Sequence, residues 1–385
     1  MHDLVPPGPV PSAAASTCVP PASSRIDALT GIRAVAALWV VGFHFAKSPL
    51  APLQLDQIVP ALNYGYLGVD LFFVLSGFII SYVHQRDAAS PSLRSVLHFY
   101  GLRLARMYPM HLLTLCGLAL VVLASRRIGI APTHPEDFRA IDFIYNLLLV
   151  QSWGVSDDIH WNFPAWSISC EWFVYLLFPL LALGLNRIAS KRQAAFWLGT
   201  EMAIFALAYV FFFGCDLDLK FDGGHFGQFA LARVCLEFTA GALCCASTAF
   251  IDMPAWPWTA VVLAAILGAV LLASTPARDF AIVGVFVLAI LAGSAPGNLV
   301  ARILSVPALV YLGEISYSLY MVHVPIRMTL GKLVEPRLAG AASTAGAWVM
   351  GIGFCLATIA TAAATYHVVE LPARRWLRRR LLERI

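Results

Sequence analysis

The chain has 385 residues, of which 59% are hydrophobic and only 12% are charged, and its formal net charge is +4. Because soluble domains carry about 25% charged residues, this composition excludes a soluble globular protein and predicts an all-α, polytopic integral membrane protein. The sequence shows no basic patch interleaved with aromatic residues, so we expect no nucleic-acid partner.

Residues 1–25 are rich in Pro, Ala and Ser and lack the basic and apolar regions of a signal peptide, so we expect a disordered leader there. The eight cysteines are scattered, mostly in apolar segments, with neither a CxxC pair nor a Cys/His pattern at zinc-ligand spacing. The sequence therefore predicts no metal site and no disulfide framework.

Apolar runs bounded by charged residues, Pro and Gly predict about ten membrane-spanning helices. These are 31–47, 64–83, 108–124, 165–184, 194–213, 228–248, 256–273, 279–293, 302–323 and 343–368. An eleventh run, 141–153, is shorter than the roughly 17 residues that a span needs, and we interpret it as interfacial or re-entrant. Lys and Arg are more numerous on the side that holds both termini, which predicts cytoplasmic N- and C-termini. Residues 373–385 are then a basic cytoplasmic tail beside anionic membrane lipids.

The first predicted span contains two ionisable residues, Arg33 and His44, in the segment GIRAVAALWVVGFHFA. Their separation is close to three helical turns, so both side chains lie on one helix face, about 16 Å apart along the axis. Ionisable residues inside a membrane are costly and are typical of functional sites. The alternative is an arginine that extends to the membrane surface and an unrelated buried histidine.

Two further arginines precede the third span. Arg103 and Arg106, in RLARMYP, stand at i and i+3 and therefore point to one face of a helix. They share the predicted cytoplasmic side with Arg33, and arginine binds phosphate groups bidentately. The pattern predicts a site for a phosphorylated cofactor; the alternative is that Arg103 and Arg106 anchor the helix at lipid phosphates.

The opposite half of the membrane collects a different set of polar residues: His44, Asp70, Glu171 and His323. A carboxylate beside a histidine holds the ring in one tautomer and makes it a better base. We therefore expect a site with two mouths, open to a cofactor from inside and to a second substrate from outside. Structural roles are the alternatives: Asp70 as a backbone cap, Glu171 paired with an arginine, and Ser169 as a helix-joining group.

Five ordered motifs resemble those of the membrane acyltransferase-3 family. They are LTGIRAVAALWVVGFHF, GYLGVDLFFVLSGFIIS, RLARMYP, WSISCEW and LGEISYSLYMVHVP. The resemblance covers about residues 26–372 and implies one transmembrane acyltransferase domain in a bacterial inner (plasma) membrane. Because the chain ends soon after its last predicted span, we expect the stand-alone form of the family, without a C-terminal SGNH domain.

The resemblance implies O-acyl transfer, usually of acetyl, from cytoplasmic acyl-CoA to a hydroxyl group of a sugar or similar acceptor. His44 is then the expected catalytic histidine, and our hypothesis is that it acts as general base with Glu171 or Asp70 orienting it. The residues expected to bind acyl-CoA are Arg33, Arg103 and Arg106. The residues expected to contact the acceptor are His323, Trp166 and Ser169.

The expected partners are acyl-CoA (acetyl-CoA), membrane lipids, a saccharide or glycolipid acceptor, and a polysaccharide assembly complex. The identity of the acceptor stays open, as does a succinyl donor in place of acetyl. A proton-coupled secondary transporter or exporter of a small metabolite or sugar also suits ten spans with polar residues at mid-membrane. A lipid scramblase or a structural partner of an assembly complex is a third alternative. The ordered set of motifs favours the enzyme.

Overall fold

The computed structural model describes residues 26–47, 55–84, 92–129, 132, 134–156, 158–214, 226–248, 255–271, 278–295, 297–338 and 344–383. The predicted leader, 1–25, lies outside these residues. Within the described ranges the chain forms helices joined by turns and contains no strand, so the prediction of an all-α protein is confirmed there.

Fifteen α-helices are described along the chain. They are α1 Asp27–Ala46, α2 Leu55–Ile58, α3 Gly68–His84, α4 Leu93–Arg127, α5 Ala140–Leu147, α6 Ala165–Leu185, α7 Lys191–Gly214, α8 Phe226–Thr248, α9 Ala255–Leu271, α10 Arg278–Ser294, α11 Leu299–Leu304, α12 Pro307–Glu314, α13 Ser316–Leu338, α14 Thr344–Thr365 and α15 Leu371–Glu383. A 3₁₀ helix, Pro60–Leu67, leads into α3, and a π-helical turn, Tyr366–Glu370, joins α14 to α15.

Six helical stretches among the described residues are long and apolar enough to cross a membrane. They are Asp27–Ala46, Pro60–His84, Leu93–Arg127, Ala165–Leu185, Phe229–Thr248 and Gly351–Leu381. These stretches support a multi-pass membrane protein. The further predicted spans and the cytoplasmic position of both termini stay predictions. The helix in the apolar run 141–153 is α5, which is only eight residues long, too few to cross a membrane.

The predicted span 302–323 is not one helix in the structure, because it divides among α11, α12 and α13. Pro307 begins α12, and the residue before it, Val306, has extended backbone with φ −60° and ψ 132°. Proline lacks an N–H group and disfavours a helical conformation in the residue before it. The break therefore follows from Pro307, and α13 begins anew after Glu314.

Helix α1 lies at the centre of the bundle and packs against α3, α10, α11, α12 and α13. Two glycines permit this packing. A Cβ atom at Gly31 would lie 1.9 Å from the Leu304 carbonyl oxygen, and one at Gly313 would lie 1.8 Å from the Thr30 carbonyl oxygen. Neighbouring helices therefore cover much of α1, so a polar side chain on a covered face has to lie in a space between helices.

A second close contact joins α3 to α8, again through glycine. A Cβ atom at Gly77 would lie 1.9 Å from the Phe238 carbonyl oxygen, and one at Gly241 would lie 1.8 Å from the Val74 carbonyl oxygen. Such reciprocal contacts between small residues are typical of helix pairs in membranes. They bring the start of α8 against the start of α3, where both helices carry charged residues.

We expect Gly77→Ala to lower the thermal midpoint of the detergent-solubilised protein, because the added methyl group meets backbone that cannot rotate away. Overpacking of this kind costs roughly 1–3 kcal/mol. The matched control is Gly117→Ala in α4, where a Cβ atom meets nothing within 4 Å. That substitution should keep or raise the midpoint, since alanine favours a helix over glycine. Equal midpoints for the two variants would contradict the described contact between α3 and α8.

Candidate active site

One cavity in the bundle, here called the arginine cavity, is lined by Arg33 of α1, Arg103 and Arg106 of α4, and Glu171 of α6. Its volume is about 140 Å³. The structure therefore brings together the three arginines that the sequence predicts as a phosphate site. The cavity is small, and its other walls are mostly apolar and aromatic side chains of α3, α4, α6 and α13.

The guanidinium groups of Arg33 and Arg106 form no hydrogen bond or ion pair with the residues that the structure describes. Arg103 Nη2 donates to His84 Nε2 at 3.2 Å, while Arg103 Nε is buried without a hydrogen-bond partner in the described ranges. Partly buried guanidinium groups with open donors are costly and are suited to an anion that enters the cavity.

Glu171 lies with the arginines, and not beside His44 as the sequence suggested. Ser76 Oγ donates to its carboxylate at 3.0 Å, and the Tyr175 hydroxyl group donates to the same oxygen. Trp166, near the start of α6, lines the second cavity. Five residues of helix, about 7.5 Å, carry Glu171 from that level to the level of the arginines.

Glu370, which our sequence interpretation missed, is a second carboxylate in electrostatic range of Arg33. Its side chain is buried and accepts a hydrogen bond from Ser318 Oγ at 2.7 Å. It ends the π-helical turn between α14 and α15. The sequence signal for Glu370 was a lone carboxylate near the end of an apolar segment. Hydropathy alone could not show that this residue is buried in the bundle.

The second cavity, here called the histidine cavity, has a volume of about 510 Å³ and contains His44 in its wall. Six aromatic rings supply much of the remaining wall, and none of the described lining residues is a carboxylate. The aromatic residues are Phe43, Tyr64, Tyr66, Phe163, Trp166 and Tyr320. Two cations, Lys47 and Arg278, also line this cavity.

The imidazole ring of His44 is oriented by its own helix. Its Nδ1–H group donates to the Val40 carbonyl oxygen at 3.0 Å. A carbonyl oxygen only accepts, so Nδ1 carries the proton and Nε2 of the neutral ring keeps a lone pair for accepting one. No carboxylate is needed to fix this tautomer.

His323 of α13 lies beside His44, with 5.0 Å between the ring centres. Its Nδ1–H group donates to the Tyr320 carbonyl oxygen at 2.6 Å, and its Nε2 atom is buried without a hydrogen-bond partner among the described residues. The structure thus pairs His44 with a second histidine, in place of the carboxylate that the sequence suggested.

Asp70 is not brought to His44 but forms an ion pair with Arg233 of α8. Arg233 also contacts Glu237, at 3.1 Å from Nε to the carboxylate. The reason is helical geometry: Val69 faces the cavities, and the next residue points about 100° away, toward α8. Our sequence interpretation gave no role to Arg233 and Glu237, although an i, i+4 charge pair inside an apolar span was the signal for them.

Ser169 lines neither cavity. Its Oγ atom donates to the Leu149 carbonyl oxygen at 2.9 Å and accepts from the Ser152 backbone N–H at 3.2 Å. It therefore joins the loop after α5 to α6, which is the structural alternative considered for this residue. The same loop holds Trp166, whose carbonyl oxygen accepts from Ser152 Oγ at 3.1 Å.

The loop itself is held by Asp142, which lies outside the six candidate spans. Its buried carboxylate accepts from Ser156 Oγ at 2.7 Å and from Arg139 Nε. Burial raises the pKa of Asp142, but the hydrogen bonds from Arg139 and Ser156 outweigh burial and hold the pKa below its ordinary value. The carboxylate is therefore ionised at neutral pH and keeps the loop against α6.

The sequence profile of the acyltransferase-3 family, described as an acyltransferase domain, matches residues 26–367. The chain belongs to this family. The family resemblance expected from the five motifs is thus confirmed over nearly the whole chain, and the protein is an acyltransferase of a multi-pass membrane family.

Three relatives agree with this assignment. Acyltransferase MdmB of Streptomyces mycarofaciens is 29% identical over 94% of this chain and 95% of its own length. A protein of Staphylococcus aureus strain COL, provisionally named as an O-acetyltransferase, is 25% identical over 77% of this chain and 50% of its own length. O-acetyltransferase OatA of Staphylococcus aureus strain NCTC 8325 is 27% identical over 40% of this chain and 24% of its own length. No solved structure matches the chain.

We expect Asp70→Leu to lower the thermal midpoint while protein that stays folded keeps its acyl transfer. Breaking a buried ion pair costs roughly 3–5 kcal/mol, and the effect should be smaller here because Glu237 still pairs with Arg233. Thermal melting and acyl-transfer rates of purified variants measure both effects. Asp158→Asn, at an exposed loop position, is the control. Loss of activity at unchanged stability would assign Asp70 a part in the chemistry.

Proposed function

We propose that this family member is a membrane-embedded O-acyltransferase of a bacterial inner membrane. It transfers acetyl from cytoplasmic acetyl-CoA to a hydroxyl group of a saccharide or glycolipid acceptor, with His44 as general base. One observation carries the proposal: the arginine cavity and the histidine cavity are adjacent, with Val69 and Tyr320 in the walls of both. A donor held at the arginines can therefore meet an acceptor beside His44.

The arginine cavity suits the donor. Arg33 and Arg106 have open guanidinium groups, and arginine binds phosphate groups bidentately. The small volume of the cavity suits a slender arm such as pantetheine better than a bulky group, with the phosphates at the arginines. Helix α1 sets the distance that the arm must cover, about 16 Å along the axis between Arg33 and His44.

The histidine cavity suits the acceptor. Its volume is in the range of about 300–1,000 Å³ that is typical of small-molecule sites. Aromatic side chains offer large rigid apolar surfaces, against which the C–H faces of sugar rings pack. A saccharide or the sugar of a glycolipid matches this wall better than a purely aliphatic acceptor does.

In the proposed reaction the acceptor hydroxyl group loses its proton to His44 Nε2 as its oxygen attacks the thioester carbonyl carbon. The C–O bond forms, the C–S bond breaks, and the CoA thiolate takes the proton back from the His44 imidazolium. The His44 Nδ1–H bond to the Val40 carbonyl keeps the ring aligned throughout. In this proposal Arg33 binds the donor, and Glu171 balances the arginine charges.

His44→Ala should reduce kcat by about 10²–10⁴-fold, the usual contribution of a general base. Release of free CoA by purified protein, dependent on added acceptor, is the measurement. His134→Ala is the control, because His134 is exposed and contacts Glu136 outside both cavities. Wild-type turnover by folded His44→Ala protein would refute the assignment of the base.

Arg106→Gln should raise the KM for acetyl-CoA by roughly 10- to 100-fold, because a hydrogen-bonded charged contact is worth about 1.5–3 kcal/mol. The kcat value should stay near that of the wild type, since the contact lies far from the reacting atoms. Arg126→Gln, at the exposed other end of α4, is the matched control. An unchanged KM would place the donor phosphates elsewhere.

Two further experiments separate the proposal from its rivals. A labelled acyl-enzyme trapped in the absence of acceptor would favour a route through acyl-His44 over direct transfer. Counterflow of a sugar in liposomes without release of CoA would favour a secondary transporter.

A further inference from the structure

Among the described residues, Val69 of α3 and Tyr320 of α13 are the two that line both cavities. Val69 is apolar, so Tyr320 is the one shared residue with a hydrogen-bond donor in its side chain. Its side chain is 6% exposed. A group that passes from the arginines to His44 through this shared wall passes Tyr320.

Helix α13 carries a stripe of three polar residues through this junction. Tyr317, Tyr320 and His323 stand at i, i+3 and i+6, about 4.5 Å apart along the helix axis. Tyr317 lines only the arginine cavity, whereas His323 lies beside His44. Tyr320 therefore occupies the level at which a donor thioester and an acceptor hydroxyl group would meet.

The hydroxyl group of Tyr320 is held by Ser167 of α6, with 2.8 Å between the two oxygens. Ser167 Oγ donates its single hydrogen to the Pro164 carbonyl oxygen at 3.0 Å. Tyr320 is therefore the donor to Ser167. Its partner is a neutral hydroxyl oxygen, a weaker acceptor than an oxyanion, so the bond is easily exchanged when negative charge develops nearby.

We infer that Tyr320 closes the junction between the two cavities and, once a thioester enters, donates its hydroxyl hydrogen bond to the carbonyl oxygen in place of Ser167. The tyrosine keeps its proton and forms no covalent bond. It stabilises the oxyanion of the tetrahedral intermediate while His44 holds the acceptor proton. The role of Tyr320 in oxyanion stabilisation rests on the proposed acyl transfer, whereas its role in closing the junction does not.

Closure of the junction and stabilisation of the oxyanion both follow from the position of Tyr320. The attacked carbonyl must lie within reach of the donor arm on one side and of the acceptor oxygen on the other, which is the shared wall of the cavities. A donor fixed in a water-poor site stabilises an oxyanion strongly. A junction without a closing side chain would let water reach the thioester and protons cross the bundle.

The test uses the full-length protein with Tyr320→Phe, which keeps the ring, and Tyr320→Ala, which opens the junction. Tyr320→Leu is a second opening variant that keeps more of the packing. The control is Tyr100→Phe, because the Tyr100 hydroxyl group also donates to a carbonyl, that of Leu176 at 2.9 Å, but Tyr100 lines neither cavity. All variants are first compared by thermal melting and size-exclusion chromatography.

Two measurements follow. For acetyl-CoA turnover, Tyr320→Phe should lose kcat by about 10²–10³-fold, the usual cost of one oxyanion donor, with little change in the KM for acetyl-CoA. For passive proton leak into proteoliposomes, Tyr320→Phe and Tyr100→Phe should be as tight as the wild type, whereas Tyr320→Ala and Tyr320→Leu should leak.

A wild-type kcat in Tyr320→Phe would overturn the oxyanion role, and proteoliposomes that stay tight with both opening variants would overturn the closure. Absence of acetyl-CoA turnover by the wild-type protein would instead refute the proposed function, and with it the oxyanion role. The leak measurement does not depend on chemistry, so it decides the closure in either case.

Discussion

A charged or polar group in the apolar interior of this bundle has to be paired or has to face a cavity, because leaving it unpaired costs several kcal/mol or more. Arginines among the described residues show both options. Arg233 is neutralised by Asp70 and Glu237 between α3 and α8. Arg33 and Arg106, without such partners, face the arginine cavity. The division between structural and functional charges follows from this one constraint.

Close helix contacts at two glycines determine where the ionisable residues of α1 lie. Gly31 and Gly313 let α11 and α12 close around α1, and the two ionisable residues in the interior of α1, Arg33 and His44, line cavities. Arg33 then lies in one cavity and His44 in the other, on a single rigid helix. The distance between donor anchor and base is therefore set by backbone geometry.

Several features of the site could be predicted from the sequence because they depend on local geometry. Helical spacing placed Arg103 and Arg106 on one face, and motifs in order identified the family. The orientation of Asp70 and the depth of Glu171 could not be predicted, because each depends on which neighbouring helix packs against which face. Pro307 could have predicted the division of the span 302–323, but hydropathy alone predicted one continuous helix. Tyr320 was missed although its i+3 spacing to His323 was the signal.

The bond between His44 Nδ1 and the Val40 carbonyl has a consequence for how such an enzyme diversifies. In many sites the base is aligned by a separate side chain, and a mutation there misaligns it. Here the aligning group is main chain, present whatever residue stands at position 40 as long as the helix persists. Substitutions in the walls of the histidine cavity can therefore admit new acceptors without changing the tautomer of His44.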